Sequence, residues 1–427
     1  MKKLKAEDAH VLVIGSGGRE HVIGLQLLVE SVDKVSFTPG NGGTENIGYN
    51  VPTDINDFQA IYDLVEKEQI DLIVVGPEDP LAGGIVDFFR AKNVPIIGPT
   101  KAAAQIESSK IFARILMGTA NIPQPSFVVC ANRELTEQAI ASLGWPFVLK
   151  VDGLAAGKGA FVCHTEIDAK EALKAIYDDN KFGPGNILVE ECLFGQEMSV
   201  FVLCNENSYA ILGTAQDYKR LLDGDQGPNT GSMGAIAPSP LLAEYPDLMK
   251  EVEEKIIVPV LKAMKENNTP FTGFLYCGLM IADGEPYVIE FNCRLGDPET
   301  QVVLPLLDES FFDLLWKAVN NEDLGNSSVQ LTKKTTAAFV VKVAGGYPNS
   351  YRKGDPIKIT DSAGMCYVII HAGTKLNDEK ELITNGGRVI GVLGLGTDLE
   401  RATKAAYDGI DQIHFADEFC RRDIGKF

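Results

Sequence analysis

VLVIGSGGRE, residues 11–20, runs from an unbroken apolar stretch into glycines and a charged pair. Residues 11–14 read as an apolar strand, Gly15-Ser16-Gly17-Gly18-Arg19-Glu20 as the turn after it, and 22–28 as a helix with apolar spacing. The alternation continues outward. A strand is expected at 35–37, a helix over about 55–67, a strand at 72–75, the loop GPEDPL at 76–81, a helix through 85–89 and a short strand at 95–97. Strand and helix in turn imply a parallel sheet covered by helices on both faces, so the chain opens as a Rossmann-like α/β domain. This unit is expected to end near residue 104.

The chain has 427 residues, more than one hydrophobic core usually organises, and 45% are hydrophobic, enough to fill several. A helix is expected over 110–117, and Pro123 and Pro125 then mark a linker. A small α/β unit follows, with strands at 147–151 and 187–191, the loop DGLAAGKGAF (152–161) and a polar helix around 167–177. Beyond it come a loop-rich segment, QDYKRLLDGDQGPNTGSMGA (216–235), a helix over 248–264, and a hairpin pairing 274–281 with 287–292 through a tight turn at Asp283 and Gly284. From residue 336 onward a small α+β domain rich in strands is expected.

Asp and Glu number 59 against 39 Lys and Arg, a formal charge of −20 that repels nucleic acid and anionic membranes. An anionic substrate must therefore meet a local cluster of cations. Cys130, Cys163, Cys192, Cys204, Cys277, Cys293, Cys366 and Cys420 form no C-x-x-C pair and no ligand-spaced group with His10, His21, His164, His371 and His414. That pattern fits a reduced, cytoplasmic protein without structural zinc. The opening MKKLKAEDAH turns acidic where an export signal needs an apolar core, and no apolar run approaches the roughly 20 residues that span a bilayer.

Four segments carry chemistry. The loop 15–20 departs from the dinucleotide fingerprint at Glu20, and Thr38-Pro39-Gly40-Asn41 supplies no acid for a ribose hydroxyl. A monophosphate gripped by the loop and Arg19 is one reading, a plain tight turn the other. Gly153 to Gly159 is not a Walker motif, since three residues rather than four separate its first two glycines and Gly159 follows Lys158. It reads as a glycine-rich flap over triphosphate, with Lys150 as a fixed cation, or else as a solvated loop. Glu290 and Asn292 alternate on one strand face, with Arg294 continuing on it; two oxygen donors suit magnesium, and a salt-bridged strand is the alternative. Asp217, Lys219 and Arg220, followed by the glycines at 227–234, suit a small zwitterion beside phosphates, though a surface loop has the same composition. Glu190, Glu191 and Glu197 flank a strand-to-loop passage that could read an adenine edge and ribose hydroxyls.

In their order, VLVIGSGGREH, PGNGGT, DLIVVGPEDPL, GPTKAAAQIESSK, LKVDGLAAGKG, QDYKR, GPNTGSMGA, GFLYCGLM, VIEFNCRLGDPETQ and TNGGRV make nearly the whole chain resemble the phosphoribosylamine–glycine ligases. The resemblance implies an N-terminal phosphoribosylamine-binding domain (1–104), a central ATP-grasp domain (105–123 and 195–330), a lid (124–194) and a C-terminal domain (331–427). It implies ATP contacts at Lys110, Lys150, Gly157, Lys158, Gly159, Glu190, Glu191, Leu193 and Glu197, and metal ligation, by magnesium or manganese, at Glu290 and Asn292. It further implies phosphoribosylamine contacts at Gly15, Ser16, Gly17, Gly18, Arg19, Asn41, Gly76, Pro77 and Glu78, and catalytic parts for Lys150, Asp217, Lys219 and Arg294. ATP, glycine and 5-phosphoribosylamine would be the substrates, and a monomer or weak homodimer the working form. Tyr218, Gln226 and Ser232 depart from the family pattern of His, Thr and Gly, and an end near residue 427 implies none of the further catalytic domains fused to this enzyme elsewhere. The alternatives are another ATP-grasp ligase or carboxylase with a different acceptor, a nucleotide-binding sensor and, last, a dehydrogenase.

Overall fold

The computed structural model describes residues 4–155, 159–331, 335–360 and 366–426. Strands β1 (His10–Gly15), β2 (Lys34–Pro39), β3 (Tyr49–Asn50), β4 (Leu72–Val75) and β5 (Ile96–Ile97) form a sheet of order β3-β2-β1-β4-β5, every pair parallel. Val11 and Val13 enter one apolar cluster and Leu12 and Ile14 another, so β1 is buried on both faces, which is why its sequence does not alternate. The last four residues of GPEDPL open a helix, Glu78–Gly83, rather than a loop; Gly84, at φ +98°, ends it and starts the next, Ile85–Arg90.

The lid is an antiparallel sheet, β6 (Phe127–Cys130), β9 (Ile187–Glu191), β7 (Phe147–Val151) and β8 (Ala160–Cys163) in spatial order, backed by the helices Arg133–Leu143 and Glu166–Leu173. The central sheet runs β16 (Glu285–Asn292), β15 (Gly273–Ala282), β10 (Gln196–Cys204), β11 (Tyr209–Asp217) and β14 (Gly234–Ala237). Asp283 and Gly284 join β15 to β16 at positive φ, as a tight reversal needs.

A further expectation is corrected. The segment 216–235 is not simply loop, because β12 (Arg220–Leu222) pairs with β13 (Gln226–Asn229) as a separate two-stranded hairpin. The C-terminal region is rich in strands as expected and holds two short sheets of its own, Lys358–Ile359 with Ile413–His414 and Thr374–Leu376 with Leu382–Thr384, while its longer strands join the central sheet. Its strand Thr336–Val343 pairs with β14, and Arg388–Gly396 and Tyr367–His371 extend the same path, giving one continuous sheet across the boundary. Alternation is what a sequence reveals, and it cannot name a strand's neighbour. One apolar cluster accordingly joins Val13 and Phe37, Phe201 and Leu203, and Phe339 and Leu393. No helix among the described residues is long and apolar enough to cross a membrane.

Candidate active site

The lid's inner face meets the end of β16 at Glu290, and cations from three elements, Lys110, Lys150 and Lys219, act on that carboxylate. Cross-strand register puts Val148, Lys150, Leu188 and Glu190 on one face of the lid, away from its helices. Lys150 donates from Nζ to the Ile289 carbonyl (3.0 Å) and pairs with Glu190 (2.9 Å), so it bridges lid and central sheet. Lys110 opens the helix Lys110–Thr119 and donates to the Gly153 carbonyl (2.8 Å), while Asp152 accepts from the Ile111 N–H (3.2 Å) and the Ser109 hydroxyl (3.1 Å). The base of the glycine loop is thus tied to that helix. Gly159 returns to the sheet by accepting from the Val151 N–H (2.8 Å), where an added Cβ would lie 2.7 Å from that of Ala155. Gly157 and Lys158, expected in the flap, lie outside the described residues.

Burial and the neighbouring Lys150 pull the Lys110 ammonium below its usual pKa, against the opposing carboxylate of Glu290. Burial would raise the Glu290 carboxyl, but Lys150 and Lys219 outweigh it and hold the group below its ordinary value. Two mutually repelling ammonium groups thus face the exposed carboxylate of Glu290, although Lys150 is also paired with the buried Glu190. Asn292 points to the same side and donates to Glu290 (3.4 Å). Among the described residues no group of three or more His, Cys, Asp or Glu could hold a metal by itself. The pair does fit a cation that completes its shell with phosphate oxygens and water, since both side chains expose oxygen and Glu290 is held ionised.

Glu190, expected among the adenine and ribose contacts, has its oxygens engaged by the protein's own cations. It is 1% exposed, accepts two hydrogen bonds from Arg114 (2.7 and 2.9 Å) and pairs with Lys150, so both oxygens are engaged inside the protein. Arg114, 2% exposed, also donates to the Val288 and Ile289 carbonyls, and the sequence reading missed it; an arginine inside an otherwise amphipathic helix face was the available signal. Glu191 accepts from the Ser126 hydroxyl (3.0 Å) at the lid's edge, and Leu193 lies in the passage from β9 to β10. Glu197 pairs with Lys219, whose ammonium also lies 3.2 Å from Asp217. Burial raises the Asp217 carboxyl while Lys219 opposes it, and Glu299, given no site role by the sequence, is pushed up to about 7 by burial and by Asp217. Ser199 links Glu299 (3.3 Å) to the Tyr276 hydroxyl (2.9 Å).

Arg294 does not continue the Glu290–Asn292 face, because β16 ends at Asn292 and the chain turns. Its guanidinium reaches Glu78 (2.8 Å) and Glu107 (3.0 Å), tying the central sheet to the N-terminal domain; Glu107 was also missed. The first loop is likewise rearranged. Glu20 swings into the cup of Gly15, Gly17 and Gly76, accepting from the Gly17 N–H (2.5 Å), and a Cβ on Gly76 would lie 1.9 Å from its Oε1. Arg19 bonds Glu20 (2.6 Å) and the Leu295 carbonyl (3.0 Å). The place expected for a monophosphate is therefore filled by the protein's own carboxylate, which explains an acid where the fingerprint has glycine. Asn41 is engaged as well, donating to Ser16 (2.9 Å) and His371 (3.1 Å) carbonyls. Ser16 stays exposed, Gly18 is buried against Gln301, and Pro77 precedes the helix that presents Glu78. Arg388, from TNGGRV, pairs with Asp297 (3.0 Å) and donates to the Gly231 carbonyl beside this loop.

An antiparallel lid and a longer antiparallel sheet closing on a lysine–carboxylate cleft define an ATP-grasp protein, and residues 108–300 match the model of the phosphoribosylglycinamide synthetase ATP-grasp (A) domain. Residues 9–107 and 337–427 match the N and C domains of that synthetase. The chain belongs to the phosphoribosylglycinamide synthetase family. It is 43% identical over 421 residues to the phosphoribosylamine–glycine ligase of Ralstonia nicotianae, covering 97% of this chain and 98% of the relative. A ligase of the same name from Leptospira interrogans is 40% identical over 421 residues, with the same coverage. The crystal structure of phosphoribosylamine–glycine ligase from Thermotoga maritima superposes with TM-score 0.84 at 33% identity, over 97% of this chain and 100% of that one. A Campylobacter jejuni biotin carboxylase shares the fold at TM-score 0.75 and 16% identity, over 96% and 92% of the two chains.

Proposed function

We propose that this chain ligates glycine to 5-phosphoribosylamine at the expense of ATP, giving glycinamide ribonucleotide, ADP and phosphate through glycyl phosphate, as a cytoplasmic step of purine synthesis. The observation that carries the reading is the convergence of Lys110, Lys150 and Glu290 on one cleft, in a chain whose full-length relatives bear the ligase name. In this reading the polyphosphate of ATP lies against Lys110 and Lys150, and the adenine against the apolar strip of Val148 and Val162, which shares the face of Lys150. Glu290 and Asn292 would hold Mg²⁺ or Mn²⁺, which supplies charge neutralisation at the phosphate oxygens when bound.

Glycine's carboxylate attacks the γ-phosphate, because carboxylate oxygen is otherwise a poor leaving group, and the amine of phosphoribosylamine then displaces phosphate. Lys219, held between Asp217 and Glu197, is assigned to the glycine side; Arg294, engaged by Glu78 and Glu107, is assigned to fixing the acceptor domain against it. Gly15 to Arg19, Asn41 and Gly76 shape the acceptor wall through backbone, and Glu78 lines it. An acyl phosphate hydrolyses in water, so the ligation requires a site closed to solvent before the chemistry. Functionally the chain divides at 1–104, 105–123 with 195–330, 124–194 and 331–427.

Glycine labelled with heavy oxygen in its carboxylate tests the route, since one labelled oxygen per turnover should leave in inorganic phosphate beside ADP. Label in AMP with release of pyrophosphate would refute it. ADP formation with bicarbonate or D-alanine but not glycine would favour a different ATP-grasp ligase.

A further inference from the structure

The hairpin of β12 and β13 bonds to no other sheet in the described residues, and all of β13 is exposed. An isolated two-stranded hairpin is at best marginally stable in water, so something else must fix it. Leu221 packs on the main core, and Tyr347 and Arg388 hold the exit at Gly231. The tip is held by the last turn of the chain. Arg421, 2% exposed, donates to the Arg220 carbonyl (3.0 Å), lies 3.5 Å from Asp225 and 5.1 Å over the Tyr218 ring, and is itself fixed by Asp423 (2.8 and 2.9 Å). Asp423 accepts from the Gly224 N–H (2.8 Å), the Arg422 N–H donates to Asp223 (2.7 Å), and the Gly425 N–H donates to the Tyr218 hydroxyl (2.9 Å). These bonds tie residues 200 apart in sequence, and they bracket Lys219, the residue between Tyr218 and Arg220.

We infer that Arg421 to Gly425 are positioning residues for ligation: by clamping the hairpin they set Lys219 between Asp217 and Glu197, and so set the affinity for glycine. The inference rests on the proposed function, which puts glycine beside Lys219. A tail that merely completed the fold would have no reason to bury a guanidinium against the backbone flanking one lysine of the cleft, and its loss would weaken all ligands alike.

The test is steady-state kinetics of the full chain with ATP, glycine and phosphoribosylamine, comparing wild type with Arg421→Lys and Tyr218→Phe. Arg421→Lys keeps charge but loses the forked contacts, and the KM for glycine should rise roughly tenfold, the weight of one charge-assisted hydrogen bond. Turnover at saturating glycine and the KM for ATP should stay within about twofold. Tyr218→Phe removes only the hydroxyl that accepts from Gly425 and should raise the glycine KM by roughly threefold; it also serves if Arg421→Lys fails to fold. A glycine KM unchanged in the folded variants, or KM values for all substrates rising together, overturns the inference while leaving the ligase reading intact. Wild type that forms no glycine-dependent ADP overturns both.

Discussion

Replacing Glu190 by Gln preserves shape and removes one negative charge from a place where two cations depend on it. Arg114 and Lys150 are 2% and 6% exposed, and Glu190 accepts from both. Breaking a buried pair by removing one partner costs about 3–5 kcal/mol, because the remaining charge is left uncompensated. Here the glutamine NH₂ must also face donors. We therefore expect a loss of about 3 kcal/mol in the lid, part of Arg114 being satisfied by the Val288 and Ile289 carbonyls. Trp145, its ring 4.8 Å from that of Phe147 in the lid and tilted to it, reports its unfolding in urea once the only other tryptophan is changed by Trp316→Phe. Adding Arg114→Met should return stability toward wild type, since it removes the buried charge that Glu190→Gln leaves uncompensated. The sign of the pH effect follows as well. Lys150 and Arg114 hold the Glu190 carboxyl below its usual 4.5, so its stabilisation is present above that pH and lost as pH falls through the folded value; the variant should lack this component. A loss under about 1 kcal/mol, or a double variant weaker than the single one, refutes the reasoning.

Glu290→Gln should lower turnover by at least about a hundredfold with an unchanged melting temperature, and a magnesium titration should show a raised requirement. Gly76→Ala, whose Cβ would lie 1.9 Å from the Glu20 carboxylate, should displace that side chain, lower the melting temperature and raise the KM for phosphoribosylamine, leaving nucleotide binding measured by equilibrium dialysis intact. His21 accepts from the His371 N–H (2.9 Å) across the junction of the N- and C-terminal domains, and burial lowers their pKa values to about 3 and about 4. Unfolded histidines protonate near 6.5, so this junction should weaken as pH falls below 6.5, and His21→Asn, which keeps an acceptor without a titrating ring, should flatten the fall of melting temperature between pH 6.5 and 4.

The sequence by itself determined the local elements and the class of chemistry. Residues 72–75, 147–151 and 187–191 are strands as their composition demanded, and Asp283 with Gly284 dictated the reversal that sets Glu290 and Asn292 on one face. Period and turn chemistry are written into neighbouring residues, so these were legible one segment at a time. Tertiary structure alone decided which charges meet. Glu190 could be read as a ribose ligand until Arg114, 76 positions away, and Lys150 closed on it. Arg294 left the face of Glu290 and Asn292 because Glu78 and Glu107, 216 and 187 residues upstream, hold it elsewhere. Glu20 filled the glycine cup that seemed built for phosphate, and strands on either side of residue 330 merged into one sheet. The physical reason is common to all four. A buried charge or an unpaired strand edge must find its complement wherever the folded chain brings one, and sequence spacing does not encode that distance.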